Sequence, residues 1–158
     1  MAAAFASGWD PSSATDRHGS GAADWAAGGG HVDALAWLVD VAGVDPSATL
    51  RKDRRRPIHW AARNGRLETL RWLVETRGCD PGAKTYDGDQ AFHLAVWRGH
   101  RACAEYLAET AKTDANGRNR WGCNALLWAC IAQREVDDGK GKGGGGGGES
   151  CLATARWL

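Results

Sequence analysis

The apolar residues of the chain fall at helical spacing. Ile58, Ala61 and Ala62 stand at i, i+3 and i+4, which gathers them on one side of a helix, and Leu67, Leu70, Leu73 and Val74 repeat the arrangement a little further on. Two short helices are predicted, joined by a loop at Gly65, with Pro57 as a first helical residue whose missing N–H would lack a partner anyway. This unit recurs. Trp25-Ala26-Ala27, Trp60-Ala61-Ala62, Leu94-Ala95-Val96 and Trp128-Ala129-Cys130 follow one another at a period of about 34 residues. In step with them run Leu35-Ala36-Trp37-Leu38, Leu70-Arg71-Trp72-Leu73 and Ala104-Glu105-Tyr106-Leu107. A third word is Asp10-Pro11, Asp45-Pro46, Asp80-Pro81 and a weaker Asp114-Ala115. Turns at His18-Gly19, Asp87-Gly88 and Trp121-Gly122 precede the first helices, and Gly30, Gly65 and Gly99 divide the helix pairs. One such pair has too little core to stand alone, so neighbouring units must cover it.

The segment Pro57-Ile58-His59-Trp60-Ala61-Ala62-Arg63-Asn64-Gly65-Arg66-Leu67 resembles the ankyrin-repeat word T-P-L-H-x-A-A-x-x-G-H. Gln90-Ala91-Phe92-His93-Leu94-Ala95 with Arg98-Gly99-His100 resembles a second copy. The resemblance covers roughly residues 14–133 and the last eight. It implies an all-α solenoid of about four helix-turn-helix repeats with short projecting turns, and a binding surface of turn tips and first-helix faces. Expected boundaries are 14–48, 49–83, 84–117 and 118–158, with 1–13 as the remnant of a preceding repeat or a disordered N-terminus. Arg56, Gln90 and Asn124 replace the family's usual Thr. Gly21, Ala22, Ala23 and Asp24 replace the whole first word, so the outer repeats are degenerate, as caps or as looser units.

The fourth unit carries an insertion. Gly139-Lys140-Gly141-Lys142 and six glycines predict flexible coil over about 134–149. Leu152 to Leu158 then matches Leu67 to Leu73 at five of seven positions, at an offset of two and a half periods where two would be regular. The expectation is a fourth repeat whose helices are parted by an insertion half a period long and whose second helix is truncated, so the chain reads as a piece of a longer array. No Gly-Lys here is followed by Ser or Thr, so the tract is not a phosphate loop.

Composition and charge narrow the function classes. With 43% hydrophobic and 25% charged residues in 158, the chain is ordinarily globular, and its net charge of +1 does not favour nucleic acid or an anionic membrane globally. The five cysteines include no C-x-x-C pair, which argues against a disulfide framework and a zinc knuckle. No apolar stretch approaches the length of roughly 18 residues that a membrane span needs, so the expectation is an intracellular protein, cytoplasmic or nuclear. His59 and His93 at helix starts and His31 and His100 in interhelix loops occupy repeat-determined places, so they read as structural. No nucleophile lies in a motif with a partnered histidine, so no enzyme, cofactor or metal is expected. Cys103 and Cys130 fall at core-like helix positions.

Trp25, Trp60, Trp128, Trp37, Trp72 and Trp157 share repeat positions and read as a stacked core, which leaves Trp97 and Trp121 as recognition aromatics. Positions 51–56 hold five basic groups in six, and Arg17, Lys84, Arg118 and Arg120 occupy comparable turns. Asp33, Asp40, Glu68, Glu75, Glu105 and Glu109 belong to second helices, so the fingers should be basic and the outer face acidic. The expected function is binding another protein, with an acidic or acidic-aromatic surface, through Arg54, Arg55, Arg63, Tyr86, Trp97, Arg98, Arg120 and Trp121 aligned in one strip. The alternatives are nucleic-acid or anionic-surface binding by the basic fingers, and a regulatory fragment of a larger enzyme.

Overall fold

The computed structural model describes residues 10–50, 52–109, 113–114 and 116–130. The glycine tract, Cys151, Trp157 and the expected second helix of the fourth unit lie outside them. Three helix pairs follow one another: α1 (Ala22–Gly29) with α2 (Val32–Asp40), α3 (Pro57–Arg63) with α4 (Leu67–Arg71), and α5 (Ala91–Trp97) with α6 (Arg101–Glu109). α4 runs on through a π-helical turn at Trp72–Thr76, and a further helical run covers 125–130. α1 packs on α3 and α3 on α5, so the first helices form one stacked layer. No strand occurs among the described residues beyond an isolated bridge between Thr15 and Gly21.

Small side chains make the stack possible. Ala27, Ala61, Ala62, Ala91 and Ala95 are wholly buried where first helices meet, and Leu35, Leu70, Leu73 and Leu107 fill the space beneath the second helices. Ile58 and Phe92 are the largest apolar residues wholly buried on the first helices.

No described tryptophan is among the buried core residues, though Trp37 and Trp72 pack against them. Trp25 is 66% exposed, and Trp37, Trp60, Trp72 and Trp128 are half-buried. The reason is angular. In α1 the buried stripe is Ala23, Ala26, Ala27 and in α3 it is Ile58, Ala61, Ala62, so the tryptophan one residue before the alanine pair is rotated about 100° out of the stripe. Guanidinium groups lie over several of these indoles, Arg77 on Trp72 at 4.6 Å for example. Cys103 is buried, but Cys130 is exposed, contrary to its core-like reading.

Equivalent hydrogen bonds mark each unit. The carboxylates of Asp10, Asp45, Asp80 and Asp114 each accept the backbone N–H two residues on, at 2.7 to 2.9 Å, closing the same turn four times. At the finger tips, Gly19, Gly88 and Gly122 donate N–H to the carbonyls of Asp16, Thr85 and Asn119 and all have positive φ. Adjacent fingers are joined in register, Tyr86 N–H donating to Asp53 O and Arg120 N–H to Asp87 O, each at 2.8 Å.

Two histidines strap the stack. His59 Nδ1 accepts the Arg56 N–H at 3.0 Å, while its Nε2 lies 3.0 Å from the carbonyl of Ala83 in the next unit. His93 repeats this with the Gln90 N–H at 3.1 Å and the Gly117 carbonyl at 2.8 Å. A neutral ring carrying its proton on Nε2 satisfies both partners, so each imidazole caps its own helix and tethers the following finger. In the first unit Asp24 stands at this position, its Oδ2 accepting the Gly21 N–H at 3.1 Å.

Candidate functional site

Seven of the eight expected binding residues take part in two sets of ring–cation contacts, one at the finger tips and one on the first-helix face. At the finger tips, the Arg120 guanidinium lies over the rings of Tyr86 at 5.0 Å and Trp121 at 4.8 Å and pairs with Asp87 at 3.3 Å. Both rings are largely exposed, Tyr86 at 61% and Trp121 at 67%. Two hydrogen bonds to Asn119 Oδ1, from Trp121 N–H and Cys123 N–H at 2.9 Å, hold this tip, and Asn119 Nδ2 is anchored on buried Asp89 at 2.9 Å.

The second group lies on the first-helix face. Arg55 and Arg63 lie over the Trp60 ring at 5.6 and 5.2 Å, Arg63 also over Trp97 at 5.8 Å, and Arg98 over Trp97 at 4.9 Å. Trp97 in turn meets Trp128 at 5.6 Å between ring centroids. The chain thus alternates cation and indole across three units. Arg55 has a carboxylate, Asp53, at 3.8 Å, but among the described residues no acid pairs with Arg63 or Arg98. Burial, with the charges of Arg98 and Arg55, pulls the Arg63 guanidinium below its ordinary pKa. Its Nε is buried without a hydrogen-bond partner.

Arg54 is exposed beside this group at φ 57°, the one left-handed residue other than glycine among the described residues. It stands one repeat after Gly19 and one repeat before Gly88, both at finger tips.

The expected acidic outer face is mixed instead. Arg77 pairs with Asp40 at 2.6 Å, Arg101 with Glu105 at 2.6 Å, and Arg71 lies over Tyr106 at 5.6 Å. Arg71 and Arg101 lie on second helices and Arg77 directly follows one, so the outer charges are interleaved.

Sequence reading missed a groove of about 570 Å³ between the first two units, walled by Trp25, Trp60 and Arg63 and bordered by Gly28, Gly29 and Asn64. Its signal was present. Gly28 occupies the position that Arg63 and Trp97 hold in the next two units, so the first unit lacks the side chain that would fill this space.

Two overlapping matches to the family model for ankyrin repeats (many copies) cover residues 23–74 and 58–108. The chain belongs to the ankyrin-repeat family. No curated protein matches it. Ankyrin repeats are in general protein-protein interaction modules, and typically not enzymes. Among the described residues of this ankyrin-repeat chain, no cluster of histidine, cysteine or acidic side chains could hold a metal ion. No described helix is long and apolar enough to cross a membrane.

Proposed function

We propose that this ankyrin-repeat chain binds a protein partner with an acidic surface through its finger tips and first-helix face. The observation that carries the reading is the Arg63–Arg98 pair: two guanidinium groups seated on indoles, with no acid paired to either among the described residues. A desolvated cation lacking an acidic neighbour favours an incoming carboxylate, and Arg with Trp supplies most binding energy at such centres. Tyr86, Trp121 and Arg120 give a second, more exposed contact at the tips, with Arg54 and Arg55 on the neighbouring finger. The outer face, with its arginines already paired, serves as the reference surface.

Peptides selected on the immobilised protein from a random display library provide the ligand for the test. Trp97→Ala with Arg98→Ala should weaken a selected peptide about 30-fold, equal to about 2 kcal/mol. Glu68→Ala with Glu75→Ala on α4 should change its affinity little. Loss of binding in the glutamate pair alone would move the partner to the outer face. A single-stranded oligonucleotide bound more tightly than any peptide, with an affinity falling steeply with salt, would replace the protein partner with nucleic acid.

A further inference from the structure

The groove at Gly28 and the cluster around Arg63 share a wall, and together they specify more than an acidic partner. Resting on the reading above, we infer that the first-helix face is a two-pocket site for an extended peptide. The pocket at Gly28 takes an apolar, preferably aromatic, side chain. The ledge formed by Trp60, Arg63, Trp97 and Arg98 takes a carboxylate about three positions away along the peptide.

Each half has its own physical basis. The groove is open because α1 ends in Gly28 and Gly29, and its apolar walls are the Trp25 and Trp60 indoles. The Trp25 wall is fixed in place, its Nε1–H donating to Asp16 Oδ2 at 3.1 Å. A flat side chain between two indoles gains contact area with little loss of rotamer freedom. The ledge, one unit further on, holds the two guanidinium groups that pair with no acid among the described residues.

Charge sets the direction of the ligand. Asp16 and Asp24 stand on the α1 side of the groove, engaged by the Trp25 indole and the Gly21 N–H respectively. An anionic side chain is therefore repelled from that end and drawn toward Arg63 and Arg98. Stacked helices lie about 8–10 Å apart, and a peptide in the extended polyproline II form advances about 3.1 Å per residue with three residues per turn, so its side chains three positions apart share one face. The two pockets are one helix spacing apart, so an aromatic and an acid separated by two intervening residues span them.

Gly28→Leu separates the pockets. A Cβ built on Gly28 meets the Asn64 amide at 3.1 Å and the Trp60 Cβ at 3.5 Å; that amide donates Nδ2–H to the Gly28 carbonyl at 3.0 Å, and the backbone at Gly28 needs no positive φ. Replacing a helical glycine favours the helix, and a melting temperature held at or above the wild-type value separates a loss of binding from unfolding.

The experiment selects peptides from a random display library on the wild-type protein, on Gly28→Leu and on Arg98→Ala. Wild type should enrich peptides with an aromatic and an Asp or Glu three positions apart. Gly28→Leu should lose the aromatic preference, bind the wild-type peptides at least 10-fold more weakly, and retain the acid. Arg98→Ala, at a residue outside the groove, should retain the aromatic and lose the acid. If Gly28→Leu selects the same peptides as wild type while the arginine variant does not, the groove is no pocket: the inference fails and the acidic-partner reading stands. If wild type selects no acidic peptide at all, that reading falls and the inference falls with it.

Discussion

At the scale of single residues, Arg54 carries the clearest local conflict. Three other finger tips place glycine in the left-handed region, at φ 78°, 84° and 76°, where an L side chain costs roughly 1–2 kcal/mol. Arg54→Gly should therefore raise stability by about 1 kcal/mol in urea denaturation, and an unchanged or lowered midpoint would show that the arginine's own contacts offset the strain. Gly88→Ala should do the reverse, because its new Cβ would stand 3.3 Å from the Arg120 nitrogen and the Asn119 Cα of the next finger. The finger turns were legible in the glycine spacing. The tryptophans were misread because a shared repeat position fixes a residue's direction, which for Trp25 and Trp60 is out of the Ala-Ala stripe. The spacing of Ile58, Ala61 and Ala62 already contained that angle.

At the scale of the helix pair, the histidine straps make stability depend on pH. Burial, the largest cause, holds His59 down to about 4, against an ordinary 6.5, and His93 is lowered for the same reason. A depressed histidine is protonated more readily in the unfolded chain than in the fold, so the unfolded state binds more protons between those values. The strap is thus fully effective above about pH 6.5, and its contribution is lost as pH falls toward 4, about 3 kcal/mol for His59 alone. Urea midpoints should be flat from pH 8 to 7 and fall between pH 6.5 and 4.5, a window above the range of most carboxylates. His59→Asn should start lower and fall less steeply. A parallel decline in both proteins would assign the effect to other groups. The helix pairs also rank the core. Phe92 is wholly buried, so Phe92→Ala should cost about 3–5 kcal/mol, while the half-buried Trp60→Ala should cost clearly less. Equal losses in thermal or chemical unfolding would return the indoles to the core. The histidine roles were foreseeable from the repeat word. The groove was harder to see, since it comes from a side chain missing at Gly28 and appears only when α1 is laid against α3.

At the scale of the whole array, each unit is covered only by its neighbours, so stability should vary along the stack rather than change as one block. α3 and α5 have a first helix or a helical run packed on each side and carry the histidine straps, whereas α1 begins the described stack and has Asp24 in place of the histidine. Amide exchange should therefore be slowest over Ile58–Ala62 and Ala91–Val96, faster in α1 and α2, and fastest in the finger tips. Phe92→Ala makes this order testable. Its cavity opens in α5, so protection should drop most in α5 and in α3 and α6, which both pack on it, and less in α2, which packs on α1. Peptide-resolved hydrogen exchange of wild type and variant, compared under the same conditions, measures that gradient. Equal loss of protection in every helix would mean that the described repeats open together, with interfaces strong enough to make the stack a single cooperative unit.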